Sequence, residues 1–143
     1  MSDPLYSKEV LRLAAEAGSA GRLKEPDCSH TEYNPACGDR TTVDLKIENG
    51  RVEAMAHDTK ACVLAQASAV ILAHGLIGCT LPGLEKLKAE VTDMLQCNAP
   101  PPEQFASYAG LREAANYPNR HKCVLLPIEA ALKAFAACTR KTG

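Results

Sequence analysis

The chain is poor in aromatic side chains, with no tryptophan, two phenylalanines and four tyrosines among its 143 residues. So few rings leave little material for a surface on which nucleic acid bases could stack. Charge of one sign is also lacking, because 16 basic residues stand against 17 acidic ones and the net charge is -1. That balance gives no electrostatic basis for binding nucleic acid or an anionic membrane. We therefore expect neither among the partners of this protein.

Long apolar runs are also lacking. The longest, residues 61–73, contains Gln66 and Ser68 and is well short of the roughly 20 residues that span a bilayer. No basic segment followed by an apolar one opens the chain, so we expect no secretory signal and a cytoplasmic location. Seven cysteines is an odd number, and a reducing compartment keeps thiols free. These features favour metal binding or thiol chemistry over a disulfide framework.

The length fits a single domain, residues 1–143. Helical periodicity marks five segments, namely residues 5–17, 62–74, 80–95, 103–115 and 124–137. Alternation marks residues 41–47 as a strand, Asn49-Gly50 joins it as a hairpin to a return strand over residues 52–57, and residues 28–33 are expected to form a short strand before the Asn34-Pro35 turn. Gly75 is the expected stop of the second helix. The predicted fold is α+β, with a small antiparallel sheet of about three strands and helices packed on one face.

Pro127 constrains the last helix. A proline fits a helix without cost only in the first turn, where its missing N–H would have no partner in any case. We therefore expect Pro127 in that turn, which places Cys123 at or just before the helix N-terminus. The stretch from Thr80 has its own signal, because a threonine can cap a helix whose buried stripe follows. That stripe consists of Leu84, Leu87, Val91, Met94 and Leu95.

Three cysteines stand in contexts that favour the thiolate. Cys37 lies in a Pro/Gly turn, two residues before Asp39. Cys62 and Cys123 fall at predicted helix N-termini, where the helix dipole and unpaired N–H groups stabilise negative charge. Three sulfurs and a carboxylate suit tetrahedral zinc, and sulfur ligands also suit iron–sulfur clusters. Spacing alone does not define a site here, because no close Cys-x-x-Cys pair is present.

The segments around these cysteines resemble three motifs of one family. Residues 34–39 read Asn-Pro-Ala-Cys-Gly-Asp and resemble the Asn-Pro-x-Cys-Gly-Asp motif of the IscU/NifU/SufU family of iron–sulfur cluster assembly scaffolds. Residues 61–69 resemble the second motif, a cysteine followed by small residues and Ala-Ser. Residues 120–126 are similar to the third, Arg-x-x-Cys before a helix. The long gap before Cys123 resembles the SufU branch, which carries an insertion there.

The resemblance implies a scaffold or sulfur carrier for iron–sulfur cluster assembly, not primarily an enzyme, although a zinc-dependent sulfurtransferase stays open. It implies that Cys37, Asp39, Cys62 and Cys123 bind zinc or a nascent cluster. Cys37 would accept persulfide sulfur from a cysteine desulfurase, and apo iron–sulfur proteins would receive the cluster. Asp39 would be the labile ligand, because its oxygen matches a soft metal less well than sulfur does. Arg120 could pair with a thiolate when metal is absent.

The sequence departs from the family at three places. The glycines that commonly precede the second cysteine are absent, and residues 58–61 read Asp-Thr-Lys-Ala. Lys122 stands where the IscU branch has histidine, and His121 is one position earlier. The Leu-Pro-Pro-Val-Lys segment that an Hsp70-type chaperone reads in that branch is missing, so this partnership is not carried over.

Two functions of other classes stay open. A structural zinc domain that only binds a partner protein would use the same ligands without transferring sulfur. A thiol redox enzyme ranks last, because no Cys-x-x-Cys pair or resolving thiol is evident. His57 lies close to Cys62 in the chain and is a lesser candidate for the site. The cysteines that match no family position are expected in packing or incidental roles; they are Cys28, Cys79, Cys97 and Cys138.

Overall fold

A computed structural model of the chain describes residues 7–16, 21–34, 38–103 and 105–142, except for the side chains of residues 139–142. It confirms the α+β class. The elements follow in this order: α1 (Lys8–Glu16), β1 (Cys28–Asn34), β2 (Asp39–Glu48), β3 (Arg51–Lys60), α2 (Val63–Gly75), α3 (Leu81–Cys97), the 3-10 helices η1 (Ala106–Asn116) and η2 (Pro118–Arg120), and α4 (His121–Thr142).

The three strands form one antiparallel sheet in the order β1-β2-β3. The predicted hairpin turn is present between β2 and β3, and Asn49 and Gly50 both have positive φ, 55° and 75°. Two such residues in succession give the turn whose twist matches the strands it joins. At the opposite end of β2, Asn34 pairs with Asp39. The end of β1, the start of β2 and the end of β3 therefore meet at one edge of the molecule.

Helices α2 and α4 cover the sheet and pack on each other. Val43 and Leu45 of β2 are fully buried beneath them, and most of α2 is buried as well. The α2 face is built largely of small residues, which allow a close approach to α4. The described buried side chains form one hydrophobic cluster that joins the sheet to the helices.

Helix α3 follows its prediction closely. The Thr80 hydroxyl accepts a hydrogen bond from the Gly83 N–H at 3.2 Å, which satisfies one of the free donors at the helix start. Asn98 ends the helix in the left-handed conformation. The predicted stripe is buried as a set: Leu84, Leu87, Val91, Met94 and Leu95.

Gly75 has a different role from the predicted one. It is the last residue of α2 and not a stop beyond it, since Leu76 caps the helix in a right-handed conformation. A Cβ built on Gly75 would lie 2.6 Å from the Phe105 ring. Glycine at this position therefore makes room for the ring, which packs against the end of α2.

Two of the predicted helices differ from their expected form. The segment predicted as a helix over residues 103–115 is the 3-10 helix η1, which is wound more tightly than an α-helix. Helix α4 begins at His121, so Pro127 lies inside it and not in its first turn, and Cys123 belongs to that first turn. The expected placement was wrong because burial of α4 outweighs the cost of one internal proline.

One pair of cysteines also contradicts the expectation that the thiols stay free. Cys28, at the start of β1, and Cys138, near the end of α4, form a disulfide with a Cα–Cα separation of 5.4 Å. Both residues are buried in the core, as expected for cysteines outside the motifs. They lie 110 residues apart in sequence, so their pairing depends on α4 packing against β1.

Candidate metal centre

Three of the predicted site residues come together at the edge where the sheet meets the starts of α2 and α4. One ligand atom from each of Asp39, Cys62 and Cys123 lies within 4.8 Å of the other two. Within residues 7–16, 21–34, 38–103 and 105–138 this is the one group of at least three histidine, cysteine or acidic side chains close enough to share a metal ion. Residues separated by more than 80 positions therefore converge on one point.

Asp39 is placed by the way β1 turns into β2. It opens β2 and pairs with Asn34, the last residue of β1. The Gly38 N–H donates to the Asn34 carbonyl at 2.9 Å, and Gly38 has a φ of 73°, which glycine adopts without strain. Cys37, the fourth predicted site residue, lies outside the described residues together with its two predecessors.

Cys62 occupies the junction between β3 and α2. It is the N-cap residue of α2, with extended backbone angles, and its carbonyl accepts the first helical hydrogen bond from the Gln66 N–H at 3.0 Å. Its own backbone N–H donates to Oδ2 of Asp39 at 3.3 Å. Sequence reasoning missed this contact, because the donor is a main-chain group and no residue type signals it.

The electrostatics of the site favour the Cys62 thiolate. A hydrogen bond with Cys123 is the main cause that lowers the pKa of Cys62, to about 6. Partial burial acts against this, the backbone N–H groups of Ala65 and Leu64 reinforce it, and the charge of Asp39 opposes it. The backbone N–H groups at the start of α2 act in the direction expected of a helix N-terminus, but the contact with Cys123 is the larger cause.

The donor set fits a tetrahedral thiophilic metal. Two sulfurs bound to zinc at 2.3 Å lie about 3.8 Å apart, within the spread seen here. Cys123 is 2% exposed, whereas Asp39 and Cys62 are half-buried. Asp39 and Cys62 are therefore partly accessible to solvent, whereas Cys123 is held in the core.

The remaining candidates lie elsewhere. His57 is buried on β3, its Nδ1 is 3.1 Å from the Thr59 hydroxyl, and burial lowers its pKa. It does not belong to the cluster. Cys79 is buried with its sulfur 3.5 Å from the Gly75 carbonyl, and Cys97 is exposed on α3. The expected packing role is confirmed for Cys79.

Comparison with known proteins places the chain. Residues 5–124 match the family described as the NifU-like N-terminal domain. The chain belongs to this family. Among curated relatives of this NifU-like chain, the iron–sulfur cluster assembly scaffold protein IscU of Thermotoga maritima is 26% identical over 136 residues, which cover 95% of this chain and 96% of that protein.

Solved structures agree with the NifU-like assignment. The N-terminal part of a NifU-like protein from Brucella abortus superposes with a TM-score of 0.91 at 34% identity, covering 97% of both chains. A protein from Fervidobacterium islandicum, described as a scaffold for the SUF system, superposes with a TM-score of 0.82 at 20% identity, covering 94% of this chain and 99% of that one. The second likeness bears on the fold alone. Among the described residues, no helix combines the length and apolar character needed to cross a bilayer.

Proposed function

We propose that this protein is an iron–sulfur cluster assembly scaffold that accepts persulfide sulfur from a cysteine desulfurase and passes the finished cluster to apo iron–sulfur proteins. The observation that carries the proposal is the convergence of Asp39, Cys62 and Cys123 within 4.8 Å. Membership of the NifU-like family supports it. So does the IscU scaffold of Thermotoga maritima, which is similar along nearly its whole length.

The fourth ligand in this proposal is Cys37. Covalent connectivity keeps its Cα within about 7 Å of that of Asp39, because two residues of extended chain span no more. A zinc ion, or iron and sulfide as cargo, would be held by Cys37, Cys62 and Cys123 through sulfur and by Asp39 through oxygen. Bound zinc would keep the thiolates ionised and in place until cluster assembly begins.

The residues have different tasks. Buried Cys123 is the anchor, since its place in α4 is fixed by the core. Cys62, with a pKa lowered to about 6, supplies a second thiolate at neutral pH. Asp39 is the ligand that releases first, because carboxylate oxygen binds soft metals less well than thiolate sulfur. When the Asp39 carboxylate dissociates from the metal, the hydrogen bond from the Cys62 N–H would keep it close to the site.

Sulfur transfer would be a thiolate exchange. The Cys37 thiolate attacks the outer sulfur of the desulfurase persulfide. A new S–S bond forms on Cys37, the S–S bond on the desulfurase breaks, and the desulfurase cysteine leaves as a thiolate. The proton of the transferred sulfur travels with it, and no outside oxidant is needed. The partial exposure of Asp39 and Cys62 supports access of a partner protein to the site.

Sulfur uptake tests the proposal directly. The protein is incubated with a cysteine desulfurase and cysteine, and the persulfide is measured as the mass of one added sulfur atom. We expect uptake by the wild-type protein and none by Cys37→Ala. Cys97→Ala is the matched control, because it removes an exposed thiol on α3 and leaves the site intact. Unchanged persulfide formation in Cys37→Ala would remove Cys37 from this role.

Metal analysis separates the scaffold from a structural zinc domain without sulfur transfer. Elemental analysis of the wild-type protein and of Cys62→Ala identifies the metal and shows whether this cysteine holds it. A scaffold should exchange its metal and take up sulfur in the presence of a desulfurase. Metal that neither exchanges nor changes on sulfur delivery would favour the structural domain.

A further inference from the structure

A buried chain of hydroxyl groups joins the two helices that carry Cys62 and Cys123. Ser68 lies on α2 and Tyr108 on η1, and both are 0% exposed. The Ser68 hydroxyl donates to the Val124 carbonyl at 2.6 Å. The Tyr108 hydroxyl lies 3.0 Å from the Ser68 hydroxyl and 3.2 Å from the Ser68 carbonyl. Three elements that are distant in sequence thus meet in one small polar network inside the core.

The protons of this network can be assigned by counting donors. Ser68 has one hydroxyl proton, and the short contact to the Val124 carbonyl uses it. The Ser68 oxygen therefore accepts from Tyr108, whose single proton is shared between that oxygen and the Ser68 carbonyl. Burial raises the pKa of Tyr108, so its hydroxyl keeps this proton at all ordinary pH values. The direction of each bond is therefore fixed.

The network acts close to the metal centre on both helices. Ser68 lies about 9 Å along α2 from Cys62, on one rigid helix. Val124 is the residue directly after Cys123. A bond from Ser68 to the Val124 carbonyl consequently fixes the first turn of α4 against α2, and with it the separation of the two sulfurs.

The surrounding packing makes a directional bond useful. Buried alanines lie on both helices, three on α2 and three on α4; they are Ala65, Ala67, Ala69, Ala130, Ala131 and Ala134. Sliding α4 along α2 would leave the Ser68 and Tyr108 hydroxyls buried without partners, which is costly in a dry core. The hydroxyl network therefore opposes a change in the register of the two helices.

We propose that Ser68 and Tyr108 are positioning residues for the metal centre, which hold the start of α4 against α2 and so set the distance between the Cys62 and Cys123 sulfurs. In this view η1, in the long segment between the second and third motifs, serves the site through a single tyrosine hydroxyl. The proposal rests on the proposed function insofar as that sulfur pair binds metal. The geometry of the pair itself can be tested without metal.

The first test uses phenylarsine oxide, which two neighbouring thiols capture by forming two As–S bonds with loss of water. The metal-free protein is studied in a Cys37→Ala background, and peptide mapping identifies the adduct that bridges Cys62 and Cys123. We expect Tyr108→Phe and Ser68→Ala to close this bridge roughly tenfold more slowly, because the reaction depends steeply on where the second thiol lies. The double variant should be no slower than the slower single one, since both changes break the same network.

The matched control is Val52→Ala. Val52 is buried on β3 beside the hairpin turn, at the opposite end of the sheet from Asp39, so this change loosens the core without touching the network. It should close the bridge at the wild-type rate. Tyr108→Phe keeps the whole ring and remains informative if Ser68→Ala fails to fold. Bridging at the wild-type rate in Tyr108→Phe would overturn the proposal.

The second test measures zinc binding by the full chain in competition with a chelator. We expect Tyr108→Phe to bind zinc roughly three- to tenfold more weakly than Val52→Ala, which is less than the roughly 10- to 100-fold that follows the loss of a direct hydrogen bond to a metal ligand, because Tyr108 acts through Ser68 and the backbone. Equal zinc affinity in these two variants would count against the positioning role. A wild-type protein that binds neither zinc nor a cluster would refute the proposed function, and the arsenical bridge would still decide the role of Tyr108.

Discussion

Two aspartates of the same strand show how differently one side chain can be used. Asp44, in the middle of β2, is 0% exposed and fully engaged. It accepts hydrogen bonds from Arg22 at 2.6 and 2.9 Å, from the Leu23 N–H at 3.1 Å and from the Ser29 hydroxyl at 2.5 Å. Asp39, at the start of β2, is half-buried, and among the described residues the Cys62 N–H donates to it at 3.3 Å.

The difference teaches which carboxylate is available for chemistry. The Asp44 oxygens accept the hydrogen bonds that hold the segment before β1 against the sheet, and this leaves them little capacity to bind a ligand. Among the described residues Asp39 accepts a longer bond, 3.3 Å from the Cys62 N–H, and two sulfurs lie nearby, so its carboxylate is available to bind an ion. The residue type is the same at both positions. Only the partners supplied by the fold separate a structural aspartate from a candidate metal ligand.

The largest effect should come from removing the charge of Asp44. Asp44→Asn should lower the free energy of unfolding by about 2–3 kcal/mol, because an amide nitrogen then faces hydrogen-bond donors in a buried place. The loss stays below that of a fully buried ion pair, since Arg22 is 53% exposed and can be hydrated. Urea unfolding at neutral pH measures it. Asp39→Asn is the control and should cost about 0.5 kcal/mol or less.

The pH dependence tests the same carboxylate. Burial raises the pKa of Asp44, but the hydrogen bonds from Arg22 and Ser29 outweigh this and leave it below its usual value. A carboxylate with a lowered folded pKa stabilises the protein above its unfolded pKa, about 3.9. The gap between wild type and Asp44→Asn should be full near pH 6 and shrink as the pH falls through the folded pKa. Equal losses in the free energy of unfolding for Asp39→Asn and Asp44→Asn would contradict the contrast between the two aspartates. A stability difference between wild type and Asp44→Asn that grows in acid would contradict it as well.

A smaller effect is expected at the other aspartate, on the lifetime of a bound cluster. Asp39→Ala should slow cluster loss about tenfold, which corresponds to about 1.4 kcal/mol in the barrier, because the weakest ligand no longer opens the site to exchange. The decay of the visible cluster absorbance in the presence of a competing thiol measures this. Asp44→Asn should leave the decay rate of the folded protein unchanged. Equal or faster loss in Asp39→Ala would count against its role as the labile ligand.

Local elements were predicted from the sequence more accurately than helix boundaries and the contacts between elements. The Asn49-Gly50 hairpin and the α3 stripe were readable because turn chemistry and periodicity are local signals. The start of α4 was misplaced because a proline rule was applied to a helix whose burial overrides it. The Cys28–Cys138 disulfide was missed because it depends on contacts between chain ends that no local pattern encodes.

The site shows the same division. The motifs pointed to Asp39, Cys62 and Cys123 through a family resemblance, whereas their spacing in sequence gave little support. Ser68 lies inside the second motif, so a signal for it existed, but no motif singled out its partner Tyr108 on η1. The hydrogen bond between them depends on tertiary packing, and only the fold reveals it.

The smallest expected effect is on the titration of the Cys62 thiol, which lies beside Asp39. In the metal-free protein, alkylation of Cys62 should follow its thiolate and reach its midpoint near pH 6, because a hydrogen bond with Cys123 lowers the pKa to about 6. The nearby charge of Asp39 acts in the opposite direction. Asp39→Asn should therefore move the midpoint down by about half a pH unit, the Coulomb energy of a unit charge some 5 Å away in a water-like medium.

Peptide mapping after iodoacetamide treatment across a pH series gives that midpoint for Cys62 alone. Asp44→Asn should leave it unchanged, because the charge of Asp44 is paired with Arg22 and its carboxylate lies farther along β2. A midpoint that rises in Asp39→Asn would mean that the aspartate orders the Cys62 N–H more than its charge repels the thiolate. In that case Asp39 would be a structural residue like Asp44, and the contrast between the two carboxylates would reduce to exposure alone.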